Sequence, residues 1–386
     1  MTRNFPHGTP GTPCAHLDLD ILRSNARKMA QRCSRLGIRL RPHVKTHKTH
    51  QGARLQTEGH FGGIAVSTLA EARFFARGGF EDITYAVPMA PSRLEEAADL
   101  GEELPRLHLL LDSETVLEAA RGVGRRRGTR FSFFLKVDCG YGRAGVDAED
   151  PRSLELVEAL AAADEIDFRG LLTHAGHAYD CRSREEILQV GQQERRVVLR
   201  FAEELRQRGI EVPEVSLGST PTLSVVPESP EEADSWSGIT EARPGNYLFY
   251  DAFQTAIGSC TQRDIAFSVL ATVIGSYPQR GELIVNAGGT ALSRDPGPTH
   301  VNPHGGFGVL VDPVTAEVLP ELSLVSLSQE HGRIRSSSHA CLERYPVGSE
   351  LRILPNHSCL AAACFDEYRV FEKGVEVDRW QPVRGW

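Results

Sequence analysis

Three short runs concentrate residue types that catalysis uses and that a folded core has little reason to keep. The first, Arg39 to His50, reads RLRPHVKTHKTH. On a β-strand, a period of two puts Arg41, His43 and Lys45 on one face. Lysine is rarely buried without a partner, and a desolvated lysine is the nucleophile that forms an imine with an aldehyde cofactor. On pattern alone a basic surface turn explains the run equally well. The second run, THAGHAYD from Thr173 to Asp180, brings His174, His177 and Tyr179 to the end of a β-rich stretch, where acid–base work and ring packing are both open. The third, PNHSC from Pro355 to Cys359, follows EHG at Glu330–Gly332. On a strand His357 and Cys359 face the same way and can share one divalent cation, although a bare His-x-Cys is a common pattern.

Two further runs suit an anion. SLGSTPT, Ser216 to Thr222, offers consecutive backbone N–H groups and hydroxyls after a strand, as a phosphate dianion requires. RPGNYLFYD places Gly245, Asn246 and Tyr247 at the neighbouring strand, and barrels commonly bind phosphate at their seventh and eighth loops. A plain turn looks similar in either case. KVDCGYGRAGV, Lys136 to Val146, adds Arg143, for which pairing with Asp138 is the structural alternative.

The elements that must position these residues follow from periodicity. Leu17 to Gly37 has apolar residues at helical spacing and stops on a glycine. Eight β-rich runs come next: Arg39–Val44, Gly63–Ser67, Ile83–Val87, Leu107–Leu111, Ser132–Val137, Phe168–Thr173, Glu214–Leu217 and Tyr247–Tyr250. Alternating with helices, they predict a (β/α)8 barrel, with a doubly wound open sheet as the other arrangement of such units. After Cys260 strand-like pieces alternate with Gly, Pro and Asn turns, so an all-β domain is expected. The expected division is an N-terminal segment 1–18 joining the β-domain, a barrel over 19–258, and a β-domain over 259–386. Gly124–Gly128 (GRRRG) reads as a solvated loop.

The 386 residues exceed one ordinary core, and a charge of −8 spread along the chain makes nucleic acid an unsuitable partner. No run approaches the twenty apolar residues of a membrane helix, and the start lacks a signal-peptide core, so a cytoplasmic address is expected. Eight scattered cysteines with no CxxC pair read as reduced thiols.

The run RPHVKTHK, together with TPCAHLDLDILRSN before it, resembles the N-terminal signature of the D-threonine aldolase and D-serine dehydratase family. These are fold-type III enzymes of the alanine-racemase fold that carry pyridoxal 5'-phosphate (PLP). The resemblance recurs in the family's order along nearly the whole chain. It implies that Lys45 holds PLP as a Schiff base and that Arg143 lies beside the cofactor ring. It assigns the phosphate to Gly218, Ser219, Thr220, Gly245 and Asn246, with His43, Tyr179 and Tyr247 as further cofactor contacts. His357 and Cys359 would hold a metal near the substrate β-hydroxyl; the donor set suits zinc better than magnesium, with manganese or magnesium the other choices. A closed, purely structural site would need two more ligands, for which His331 and Cys364 are candidates.

The implied substrate is a small D-amino acid, in a homodimer whose active site is shared between the barrel mouth of one subunit and the β-domain of the other. The family associates His-x-Cys with dehydratases, giving a 2-oxo acid and ammonia, and a histidine–carboxylate pair with aldolases, giving glycine and an aldehyde. The first reading is therefore a D-serine dehydratase, with D-threonine aldolase next. A D-3-hydroxyaspartate aldolase or dehydratase follows, since Arg41 and Arg294 can pair with a second carboxylate. A racemase would need a second proton carrier, and non-catalytic PLP carriers are single barrels. NAGGTALS, Asn286–Ser293, departs from the family's segment, which has an acidic first residue and a lysine further in.

Overall fold

A computed structural model describes residues 11–386; residues 1–10, part of the expected segment 1–18, lie outside the described residues. Two compact units emerge. One gathers residues 11–23 with Phe249–Pro382, and the other comprises Ser24–Leu248 with Val383–Trp386.

In the second unit the strands, numbered along the chain after β1 (Cys14–Asp18), are β2 (Arg39–Leu40), β3 (Ile64–Val66), β4 (Asp82–Pro88), β5 (Arg106–Leu111) and β6 (Phe131–Asp138). A short β7 (Val146–Asp147) is followed by β8 (Ile166–Leu172), β9 (Glu214–Leu217) and β10 (Glu241–Ala242). They run parallel in the order β2-β10-β9-β8-β6-β5-β4-β3, with β7 beside β6. The two ends of that order meet: His43 bridges Ala65, and the Ala65 N–H donates to Pro42 O at 2.9 Å. The ring is the expected α/β barrel, and its active face is formed by the loops after the strand C-termini.

Three expectations are corrected here. The eighth strand is Glu241–Ala242, and Tyr247–Tyr250 begins inside a 3-10 turn at Asn246–Leu248. The true strand was hidden because its inward groups are ionic, Glu241 and then Arg243, not apolar. The first strand stops at Leu40, since Pro42 has no N–H for the ladder, and Val44–Thr46 is a 3-10 turn. Gly124–Gly128 is the end of a helix, Glu114–Arg127, which closes on Gly128 at φ +66°.

Helix Arg184–Gln207 matters most for the site. Ser183 caps it by accepting the Glu186 N–H, Glu185 and Glu186 lie in its first turn, and Arg206 lies in its last. Its inward face buries Ile187, Val198, Phe201 and Leu205, and also Glu194.

In the first unit, β11 (Phe267–Tyr277) is the spine. It pairs with β1 and with β16 (Glu350–Pro355), then, past an irregularity between Val273 and Gly275, with β12 (Glu282–Val285). Around these lie β13 (Gly308–Val311), β14 (Leu322–Leu327), β15 (Gly332–Ser336), β17 (Tyr368–Glu372) and β18 (Val375–Trp380). Among the described residues no helix is long and apolar enough to cross a membrane.

Candidate active site

Five strand ends gather the chemistry of the barrel. Beyond β2, His43 caps the 3-10 turn that presents Lys45, its Nδ1 accepting the Lys45 N–H at 3.4 Å, with Nε2 3.4 Å from Ser67 Oγ. Among the described residues Lys45 has no carboxylate within ion-pair reach. Beyond β8, His174 donates from Nδ1 to Gly218 O at 3.3 Å, which leaves the Nε2 lone pair available. Burial, then the Lys45 ammonium, then Arg243, hold His43 well below the ordinary imidazole value. Burial, followed by Lys136, Lys45, Arg143 and Arg243, does the same for His174. Both rings are therefore neutral at pH 7.

Lys136, at the end of β6, is only 6% exposed, and burial followed by repulsion from Arg243 pulls it down to about 7. Glu194 lies beside it. One carboxylate oxygen accepts the Ala175 N–H at 2.8 Å and the Gly218 N–H at 3.2 Å, joining the loops after β8 and β9. Burial raises the Glu194 carboxyl above the usual carboxylate range.

The loops after β9 and β10 are stitched together by the Tyr247 N–H donating to Thr220 Oγ1 at 3.1 Å. Gly218 has φ +99°, a region that favours glycine, and a Cβ on Gly245 would lie 2.5 Å from His43 O. Ser219 and Thr222 form a reciprocal capping box. These glycine turns and backbone donors fit a phosphate dianion, and Lys45 fits the aldehyde of the same cofactor.

Arg143 stands over the Tyr141 ring, 4.9 Å from its centroid. Asp138 is not its partner: that carboxylate accepts the N–H groups of Gly140, Tyr141 and Gly142 and so shapes the glycine turn. His177 separates from His174. It stacks on Tyr141 at 5.9 Å, and the charges acting on it come from Asp138 and Asp180. Tyr179 lies in the same 3-10 turn, Gly176–Asp180. Arg41 is fully buried, its Nε donating to Glu241 at 2.7 Å and its guanidinium pairing with Asp82, so it is committed within the barrel and not to a substrate carboxylate.

In the other unit His357 and Cys359 do not lie on a strand. β16 ends at Pro355, and His357 is the N-cap of a short helix, Ser358–Ala362. Burial works to lower His357, but the electrostatic influence of Cys359 and the hydrogen bonds to Asp295 and Cys359 outweigh it and hold the imidazole well above its ordinary value, so the two side chains still meet. His357 Nδ1 lies 3.3 Å from Asp295 Oδ2, which orients the ring, and a cation would have to displace the proton on Nε2 to bind there. Asp251 fixes the turn, accepting the Ser358 N–H at 3.0 Å and its hydroxyl at 3.2 Å. Among the described residues no group of three or more His, Cys, Asp or Glu is poised to hold a metal. A nitrogen and a sulfur with a carboxylate behind the imidazole nevertheless fit a zinc-like ion that takes its other ligands from water or substrate. The sequence reading missed Lys136, Glu194, Arg243, Asp251 and Asp295. Lys136 was legible, two residues before Asp138 in the quoted glycine motif; the others carried no local signal.

Comparison with known proteins places the chain in a family. Residues 17–252 match the family described as alanine racemase, N-terminal domain, and residues 266–371 match a serine dehydratase domain family. D-serine dehydratase of Dictyostelium discoideum is 36% identical over 97% of this chain and 97% of that protein. D-threo-3-hydroxyaspartate dehydratase of Delftia sp. HT23 is 38% identical over 98% of each. Solved structures of the Delftia enzyme, including a variant in the metal-free form, superpose with TM-score 0.90 and 37% identity over 98% of this chain and 99% of theirs. The fold and site define a fold-type III, PLP-dependent enzyme. The chain belongs to the family of lyases that joins an alanine racemase N-terminal domain to a serine dehydratase domain.

Proposed function

We propose that the chain is a PLP- and divalent-metal-dependent lyase of D-β-hydroxy-amino acids, acting as a D-serine dehydratase that releases a 2-oxo acid and ammonia. The observation that carries the reading is Lys45, unpaired with any carboxylate at a strand end and sharing its mouth with two neutral histidines and two glycine turns. Lys45 would hold PLP, Arg143 would stand by its ring, and Gly218, Ser219, Thr220, Gly245, Asn246 and Tyr247 would enclose its phosphate. Bound there, the cofactor supplies an electron sink for charge developing at the substrate Cα. His357 and Cys359 would hold zinc, which supplies a Lewis acid for a β-oxygen.

The chain's own groups do the rest. The cations that depress His174 favour the substrate carboxylate, and Nε2 of His174 is an acceptor for a proton. Glu194 keeps the loops after β8 and β9 in register, so that acceptor and phosphate donors move together. Overall the Cα–H and Cβ–O bonds break, water leaves, and the resulting enamine takes up water to give the 2-oxo acid and ammonia. Similarity to two dehydratases over nearly the full length supports this outcome above retro-aldol cleavage. The eight free thiols suit a cytoplasmic protein, and the resemblance supports a homodimer, which sedimentation would test.

The decisive assay offers the holoenzyme D-serine, D-threonine and D-threo-3-hydroxyaspartate and measures ammonia, 2-oxo acid, glycine and aldehyde together. Equal ammonia and 2-oxo acid from D-serine are expected; glycine with an aldehyde would replace the dehydratase by an aldolase. Lys45→Ala should abolish turnover. Chelation should remove activity, restored by zinc or manganese, without changing the bound-cofactor absorbance or the melting temperature. Full activity after verified metal removal would refute the metal's role.

A further inference from the structure

Lys48, three residues after Lys45, has φ +54°, a left-handed conformation that a residue with a Cβ enters only under constraint. Three contacts constrain it. Its N–H donates to Val44 O at 2.9 Å, its ammonium pairs with Glu71 Oε1 at 2.9 Å, and its carbonyl accepts the Val383 N–H at 2.9 Å. Glu71 is 1% exposed, and its other oxygen accepts the Ser67 N–H at 2.8 Å. Ser67 Oγ reaches His43, and His43 accepts the Lys45 N–H. A closed circuit thus runs from Lys48 through Glu71, Ser67 and His43 to the Lys45 backbone. Val383, more than 300 positions later in sequence, ties it down from outside. Val383–Trp386 belong to the same compact unit as the barrel, although the residues just before them do not.

We propose that the segment beginning at Val383 is a strap across the Lys45 turn, and that Val383, Lys48 and Glu71 are positioning residues that aim Lys45 Nζ at the cofactor. The inference rests on the reading that Lys45 holds PLP. The physical argument is conformational. The Val383 N–H meets the carbonyl of the one strained residue in the turn, so losing that bond lets Lys48 relax toward right-handed φ and swings the peptide that carries Lys45. A contact made only to stabilise the barrel would have no need to fall on that carbonyl.

The test removes a single donor. Val383→Pro deletes the N–H and Val383→Ala keeps it; Glu71→Gln breaks the ion pair from the other side while leaving an acceptor for Ser67. Each PLP-loaded protein is reduced with borohydride and mapped by peptide mass, diluted into cofactor-free buffer to follow cofactor loss by absorbance, titrated with pH at the cofactor band, and melted as the apoprotein. Val383→Pro and Glu71→Gln should lose the cofactor about tenfold faster than Val383→Ala, the size of one net hydrogen bond, with a shifted absorbance titration and any fall in apoprotein melting too small to account for the faster loss. Equal cofactor loss and titration for Val383→Pro and Val383→Ala, with label on Lys45, overturns the strap alone. A fall in apoprotein melting that accounts for the faster loss assigns the contact to stability and likewise overturns positioning. Label on another lysine overturns the Lys45 reading and the strap together.

Discussion

Inside the barrel, beside the apolar cluster of Leu110, Phe134 and Leu172, charged side chains meet. Arg41 lies between Glu241 and Asp82, Ser216 donates to Glu241 at 2.6 Å, and Arg243 donates to Ser216 and to Thr173 O. Arg39 and Arg169 converge on Glu214. In the sheet built on β11 the corresponding interior is apolar: Phe267, Val269, Ala271, Val273, Leu283, Leu351 and Ile353 are fully buried. The two regions hold their sites differently. Ionic contacts fix direction as well as distance, so the barrel sets loops and ring orientations to the geometry its mouth needs. The apolar sheet fixes only packing, and the chemistry of His357 depends on two carboxylates at its end, Asp295 and Asp251.

The largest expected effect distinguishes the two interiors. Glu241→Ala leaves Arg41 with one counter-ion and Arg243 with fewer, and should cost about 3–5 kcal/mol in denaturant unfolding, because a buried charge loses its partner. In the sheet, Ile353→Val on β16 should cost about 0.5–1.5 kcal/mol, the loss of one buried methylene. Comparable costs would end the contrast.

Acid sensitivity sharpens it. His47, buried in the barrel unit, bonds Gln56 through Nε2 at 2.8 Å and the Thr49 N–H through Nδ1 at 3.1 Å, and burial lowers it to about 4. The unfolded chain binds the proton first, so stability is lost as pH falls from the unfolded value near 6.5 and levels off below about 4. The expected loss is up to about 3 kcal/mol. His47→Asn keeps an acceptor for Thr49 without the titration, and its unfolding free energy should fall less over that range. An equal fall in both proteins would remove His47 as the cause. The smallest effect belongs to exposed pairs: Arg200→Ala, breaking the contact with Glu149, should change stability by less than about 0.5 kcal/mol.

How much of the site was legible follows from the range of its contacts. Lys45, Arg143 and the two glycine turns, the residues proposed for the cofactor, stand out because each sits in a short run whose composition is unusual for a core or a plain loop. Six of the eight barrel strands were found close to their places because Ile83, Leu109 to Leu111, Phe133 to Leu135 and their like are apolar and regularly spaced. The first and last strands, two residues each, were misjudged because ion pairs to residues up to 200 positions away stabilise them in place of an apolar stripe. His357 and Cys359 were found as a pair, but the strand expected to align them was a helix cap.

By itself, then, the sequence determined the α/β barrel and the runs that carry reactive side chains, since periodicity and composition are local properties. Only the tertiary structure decided which of those side chains face one another: His174 toward Lys45 and His177 toward Tyr141, Arg41 toward Glu241, Asp295 behind His357, and Val383 on Lys48. Each pairing is set by strand register and loop closure across a long stretch of chain, and a window of ten or twenty residues contains no information about a partner that lies outside it.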